Sequence, residues 1–165
     1  MKLWDKGYDV NEQIDRFTVG HDRELDLELA PYDIEGTIAH IKMLESVGLL
    51  SRKDLDALLP VLDELHTSAV NGEFVIEDGI EDVHSQVELM LTRRLGDVGK
   101  KVHIGRSRND QVLVDLKLYT RAQIRETIRK VQALFDTLLN KSNETRDILM
   151  PGYTHLQVAM PSSFG

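Results

Sequence analysis

Apolar residues recur at helical spacing along nearly the whole chain. Ile34, Ile38, Ile41, Leu44 and Val47 mark one face of a helix, and Gly48 supplies the left-handed position that ends it. Ser51 followed by Asp54 is a capping-box-like start for the next helix, with Asp in place of the usual Glu. Its inner face is Leu55, Leu58, Leu59, Leu62 and Leu65, and Asn71-Gly72 closes it with turn chemistry. Glu73-Phe74-Val75-Ile76 is too short to be more than an extended connector. A third helix is expected from Ile80 or Glu81, with Val83, Val87, Met90, Leu91 and Leu95 as its stripe and Gly96 as its end. Two helix-turn-helix units thus account for the first part of the chain.

From Ser107 to Asn143 there is neither glycine nor proline. A helix of that extent is roughly 50 Å long. Ile124, Ile128, Val131, Phe135 and Leu138 alternate steps of four and three, the seam of a helix packed in a bundle. Its first half is apolar on more than one side, through Val112, Leu113, Val114, Leu116, Leu118 and Tyr119. Such a helix needs covering by several neighbours. The other helices cannot supply them, so further chain, partner subunits or both are expected. After Pro151 the pattern reads as a loop, and Ser162 reads as an N-cap for a further helix. The expectation is the N-terminal part of something longer.

The fold class that follows is all-α: an N-terminal helical domain over residues 1–105, then the beginning of a long-helix bundle domain over 106–165.

Composition narrows the function. The chain has a net charge of −8, which disfavours nucleic acid as a partner. No apolar run is long enough for a membrane span, and Met1 to Lys6 lacks the apolar core of a signal peptide. Cysteine is absent, which excludes disulfides and thiolate chemistry and suits a reducing cytoplasm. Between Arg93 and Arg108 the balance reverses: Arg93, Arg94, Lys100, Lys101, Arg106 and Arg108 face one acid, Asp97. That zone reads equally as a site for a small anion and as a solvated turn.

Two runs carry candidate chemistry. In Gly105-Arg106-Ser107-Arg108-Asn109-Asp110-Gln111, Ser107 stands at the start of the long helix, where free N–H groups and the helix dipole favour an anion. Arg108 can grip a carboxylate with two parallel bonds, and Asn109 offers a donor and an acceptor. The competing reading is a cap with exposed salt bridges. In Pro151-Gly152-Tyr153-Thr154-His155-Leu156-Gln157, His155 lies in a glycine-containing loop beside a hydroxyl, with the side chain best suited to proton transfer near neutral pH. It reads equally as a structural histidine. His84, near Asp82, and His103 serve either as ligand contacts or as hydrogen-bonded support. A metal site at His84 is excluded at this level, because its helix carries no second histidine at ligand spacing and the chain no cysteine. Neither a phosphate-binding glycine loop nor a nucleophile elbow is present, so no nucleotide cofactor is expected.

These two runs resemble signature regions of the argininosuccinate lyase family, within the fumarase/aspartase superfamily. Leu3-Trp4, Asp33-Ile34-Glu35-Gly36, Glu81-Asp82-Val83-His84 and the long helix after Gln111 extend the resemblance over essentially the whole chain. The resemblance implies an all-helical subunit of three domains, a cytoplasmic homotetramer built around a central helical bundle, and active sites drawn from three subunits. It implies cofactor-free elimination of argininosuccinate to arginine and fumarate. A base takes the proton beside a succinyl carboxylate, an aci-carboxylate forms, and the C–N bond breaks.

Residue by residue, the resemblance makes His155, paired with Thr154, a catalytic proton-transfer residue that acts as general acid to the leaving nitrogen. It places Ser107, Arg108 and Asn109 at the substrate carboxylate, and His84 and Gln157 near the ligand. Three departures stand out. The family's Gly-Gly-Arg-Phe run is Asp5-Lys6-Gly7-Tyr8 here, a serine-containing segment is Val19-Gly20-His21, and Ile104 replaces a Thr or Ser. The family's catalytic base is a serine on a flexible loop expected beyond Gly165, so the chain alone should be inactive. The competing functions are another lyase of the superfamily and a non-catalytic helical protein of crystallin or interaction type.

Overall fold

A computed structural model describes residues 12–165. Leu3-Trp4 and Asp5-Lys6-Gly7-Tyr8 lie outside the described residues. The chain divides into two compact units, Met1–Tyr119 and Thr120–Gly165. The all-α expectation holds, with one small exception at the end.

In the first unit the short helices α1 (Glu12–Val19) and α2 (Asp22–Asp26) lead into α3 (Ala30–Ser46) and α4 (Arg52–Val70). Gly48, at φ +78°, turns the chain between them, and the amides of Gly48, Leu49 and Leu50 return to carbonyls of the last turn of α3. Ser51 Oγ then caps α4 by accepting from the Asp54 amide at 3.1 Å. Pro60 sits inside α4 and removes one helical hydrogen bond, yet the helix runs on to Val70. Leu58 and Leu62 lie against α3 with no exposed surface. Each such burial contributes roughly 1.5–3 kcal/mol. The α3 stripe is buried at Ile34, Ile41 and Leu44, while Val47 at the helix end is exposed.

The segment after Gly72 is extended without being a strand, as its length suggests. Phe74, Ile76 and Ile80 point into the core. Gln86 clamps the segment: its Oε1 accepts from the Glu77 amide at 2.9 Å. Helix α5 (Val83–Leu95) begins slightly later than the sequence suggests, because Asp82 caps it by accepting from the Ser85 amide at 2.8 Å. Gly96, at φ +60°, ends it. A 3₁₀ segment, Gly96–His103, follows and buries Gly99 and Val102. It lies so close to α5 that a Cβ on Gly99 would meet the Leu91 carbonyl carbon at 2.5 Å.

Helix α6 (Arg108–Thr145) has 38 residues, a length of roughly 57 Å. Its first turns belong to the first unit, where the rings of Tyr32 and Tyr119 meet edge to face at 5.9 Å. The second unit holds the rest of α6 and an antiparallel hairpin, β1 (Leu149–Thr154) with β2 (Gln157–Ser163). The sequence suggested a loop here. Instead Pro151 and Pro161 face each other across the register, and Ser162 is a strand residue rather than a helix cap.

Candidate functional site

Helix α3, the start of α6 and the turn before it converge on His84, which stands in the first turn of α5. The imidazole is 5% exposed, and its Nδ1 lies 2.7 Å from Asp33 Oδ1. Asp115, from α6, is wholly buried, with Oδ2 3.8 Å from the same nitrogen. Gln111 Nε2 also donates to Asp33 Oδ1, at 3.3 Å. Arg106 stands over this group: its Nη2 donates to Thr37 Oγ1 at 2.9 Å and to His103 Nδ1 at 3.3 Å.

The protonation states follow from burial and charge. Burial alone would pull His84 down, but the Asp33 hydrogen bond and the charges of Asp33, Asp82 and Asp115 outweigh it and raise it. Asp115 is pushed up to about 7, by burial first and by the Asp33 charge second. His103 is pushed down to about 4 by burial and by Arg106. The hydrogen bonds give the reason. Nδ1 of His103 accepts from a guanidinium, so its one proton sits on Nε2, 3.3 Å from Glu88 Oε2. A nearby carboxylate would by itself favour the cation. Here burial also raises Glu88, so both partners lean toward their neutral forms.

Asp33, His84 and Asp115 offer one ligand atom each, all within 4.8 Å of one another. Excluding a metal because α5 lacks a second ligand therefore does not stand, since the carboxylates come from α3 and α6. The arrangement nevertheless fits a hydrogen-bonded ion cluster better. The Asp33–His84 contact has hydrogen-bond length, and Arg106 and the His84 ring itself already place positive charge beside the two carboxylates.

At the start of α6, Ser107 Oγ accepts from the Asn109 amide at 3.0 Å, and Asp110 Oδ2 accepts from the Ser107 amide at 2.9 Å. This is a reciprocal cap. It leaves the Ser107 hydroxyl proton and the exposed Asn109 amide facing outward. Arg108 is already engaged, with Nη1 3.1 Å from Asp82 Oδ2 and 3.7 Å from Glu81 Oε1. That pair ties the α6 start to the α5 cap beside His84. The basic zone is likewise mostly neutralised: Arg93 pairs with Glu77, Arg94 with Glu64, Lys100 with Asp97 and Lys101 with Asp54. Asp33 Oδ2, both Asp115 oxygens, Ser85 Oγ, Arg106 Nε and Arg108 Nη2 are buried with no hydrogen-bond partner. Such groups call for partners that these side chains do not supply, ordered water or a bound ligand.

Thr154, His155 and Gln157 belong to the second unit. His155 and Leu156 form the two-residue hairpin turn with φ of +48° and +63°. Side-chain-bearing residues rarely adopt this left-handed region, which glycine or asparagine usually occupies in such turns. All three predicted residues are exposed there. The sequence reading thus found His84 and the Ser107–Asn109 run, which the first unit brings together. It named Asp33 and Gln111 only within longer runs and gave them no role, and it missed Thr37 and Asp115. Their signal was an acid, hydroxyl or amide standing in a helix's inner stripe: Asp33 and Thr37 share the buried face of Ile34 and Ile41.

A family model described as "Lyase" matches residues 14–165. The chain is 67% identical over 164 residues to an argininosuccinate lyase of Phocaeicola vulgatus, covering 99% of this chain and 37% of that protein. It is 65% identical to one of Bacteroides fragilis over the same shares. An argininosuccinate lyase of Sorangium cellulosum is 44% identical over 165 residues, 100% of this chain and 38% of that protein. The chain spans a little over a third of the length of these relatives.

Proposed function

The chain belongs to the lyase family, and we propose that it forms part of an argininosuccinate lyase, which cleaves argininosuccinate to arginine and fumarate. The observation that carries this reading is the 67% identity over 164 residues, a span that includes both polar runs. In this reading residues 1–105 form the N-terminal domain and 106–165 open the central bundle of a cytoplasmic homotetramer. Among the described residues no helix is long and apolar enough to cross a membrane. The exposed α6 stripe is the surface that other subunits cover.

The elimination breaks a C–H bond beside a carboxylate and the C–N bond, and leaves a C=C bond in fumarate. Negative charge gathers on carboxylate oxygens before the nitrogen leaves. Donors fixed at those oxygens lower the barrier most. The Ser107 hydroxyl, the Asn109 amide and the N-terminal amides of α6 have this character, with Arg108 anchoring the loop through Asp82. His84 supplies a further donor, and Gln157 contacts the ligand. His155, with Thr154 beside it, gives a proton to the departing nitrogen. A non-glycine residue held at positive φ is the kind of strain found at functional turns. No base for the first proton is assigned among these residues.

The test uses the full-length protein, with fumarate release followed by ultraviolet absorbance. His155→Asn is expected to lower kcat by about 10²- to 10⁴-fold, the usual size of a general acid contribution. Near-normal turnover in that variant would return His155 to a structural role.

A further inference from the structure

We propose that Asp33 and Asp115 are positioning residues for His84: two buried carboxylates from separate helices that hold its Nδ1–H and present Nε2–H as a cationic donor to a substrate carboxylate. The inference rests on the lyase reading for its substrate and on the first unit's geometry for everything else.

Asp33 Oδ1 receives two donors, His84 Nδ1 at 2.7 Å and Gln111 Nε2 at 3.3 Å. Gln111 fixes Asp33 Oδ1 as an acceptor, and with Asp33 as a carboxylate the proton of the His84 contact lies on Nδ1. Asp115 adds a second carboxylate, wholly buried and without a hydrogen-bond partner. Two carboxylates out of water need nearby positive charge. The groups that face them are limited. Arg106 and His103 come from the end of the 3₁₀ segment and the turn after it, Asp26 from α2, and Asp82 with its partner Arg108 from the α5 cap and the α6 start. His103 is neutral, and Asp26 and Asp82 only add negative potential. Above about pH 7, where Asp115 is ionised, that leaves Arg106 and an imidazolium at His84 to balance Asp33 and Asp115. The direction of the His84 shift agrees.

The consequence concerns the other nitrogen. With Nδ1 committed to Asp33, a charged imidazole has Nε2–H as its remaining donor. Hydrogen bonds from charged donors to carboxylates are roughly twice as strong as neutral ones. The ring plane is fixed by α3 and α6 together, so the donor needs no reorganisation as charge builds on a bound carboxylate.

The experiment measures His84 directly in the full-length protein, by deuterium exchange at the imidazole C2–H read by mass spectrometry across a pH series. His84 is expected to titrate above the ordinary histidine value of about 6.5. Asp115→Asn and Asp33→Asn should each lower that midpoint by about one unit or more. The alkaline limb of kcat/KM for argininosuccinate should move down with it, and activity should return toward acid pH. A His84 midpoint at or below the ordinary value, or one unmoved in Asp115→Asn, would overturn the proposal. So would uniform activity loss at every pH with no displaced limb. Should Asp33→Asn fail to fold, the unaltered protein and Asp115→Asn still decide the matter. Absence of turnover by the unaltered enzyme would sink the lyase reading instead, while the exchange midpoint still judges the cluster.

Discussion

The two parts of α6 invert the usual division between inside and outside. Between Arg108 and Tyr119 the buried residues are polar, Gln111 and Asp115, while Leu113 and Leu116 are exposed. Beyond Thr120 no residue of the helix is buried, and Ile124, Ile128, Val131, Phe135 and Leu138 are each more than half exposed. One continuous helix therefore carries two unrelated assignments. The first turns bury carboxamide and carboxylate because they meet His84 and Asp33. The later turns display an apolar seam at a spacing that only another helix can match. Burial of a charge in one part and exposure of apolar area in the other each cost stability, and each makes sense only through what a second group brings.

The sharpest break in this comparison is to place charge on the exposed seam. Val131→Asp combined with Phe135→Asp should abolish association, observed as a shift to a smaller species in light scattering. Each lost apolar contact is worth roughly 1.5–3 kcal/mol per subunit, before the cost of burying the new carboxylates. The melting of the first unit should stay within about 1 kcal/mol, as for surface substitutions generally. Association that persists would mean the seam faces water by design.

Gly99→Ala tests the other side. The new Cβ would sit 2.5 Å from the Leu91 carbonyl carbon and 2.6 Å from its oxygen, so backbone must move against backbone. The expected loss is about 3 kcal/mol or more, at the upper end of overpacking effects, measured by urea denaturation.

How much of this was legible beforehand depended on range. Gly48, Ser51 and Gly96 announced their turns because caps are settled within a few residues. The hairpin was not legible. Pro151 and Pro161 cannot donate to a ladder, so the segment reads as loop, and only their facing register allows both. The basic zone looked unpaired because its acids, Glu77, Glu64 and Asp54, lie outside the window that was counted. The cluster around His84 was out of reach for the same reason. Asp33 and Asp115 are brought together by helix packing, and the chain between them gives no hint of it. What was visible was weaker: a carboxylate at a core position of an otherwise apolar stripe.

The smallest expected effect concerns how the buried His84 and the half-buried His103 of the first unit differ. His84 is shifted up by the carboxylates around it, while His103 is shifted down by burial and by Arg106, to about 4 against an ordinary value of 6.5. In the unfolded chain His103 takes up a proton below pH 6.5, and in the folded chain only near pH 4. Between those limits the unfolded state binds more protons, so this contribution to stability is present above pH 6.5 and lost as pH falls through about 4. Its size is of order 1–3 kcal/mol. Asp115, raised from 3.8 to about 7, works in the opposite sense over much of the same window, with stability lost as pH rises. The raw pH profile of the protein is therefore a poor readout, and the difference between two proteins is a good one. His103→Asn keeps an acceptor for Arg106 near the place of Nδ1 but cannot titrate. The stability of the unaltered protein relative to this variant should increase as pH rises from 4 to 6.5 and level off above. A difference that stays flat across that range would show that His103 is charged in the folded state, and that Glu88 rather than Arg106 sets its protonation.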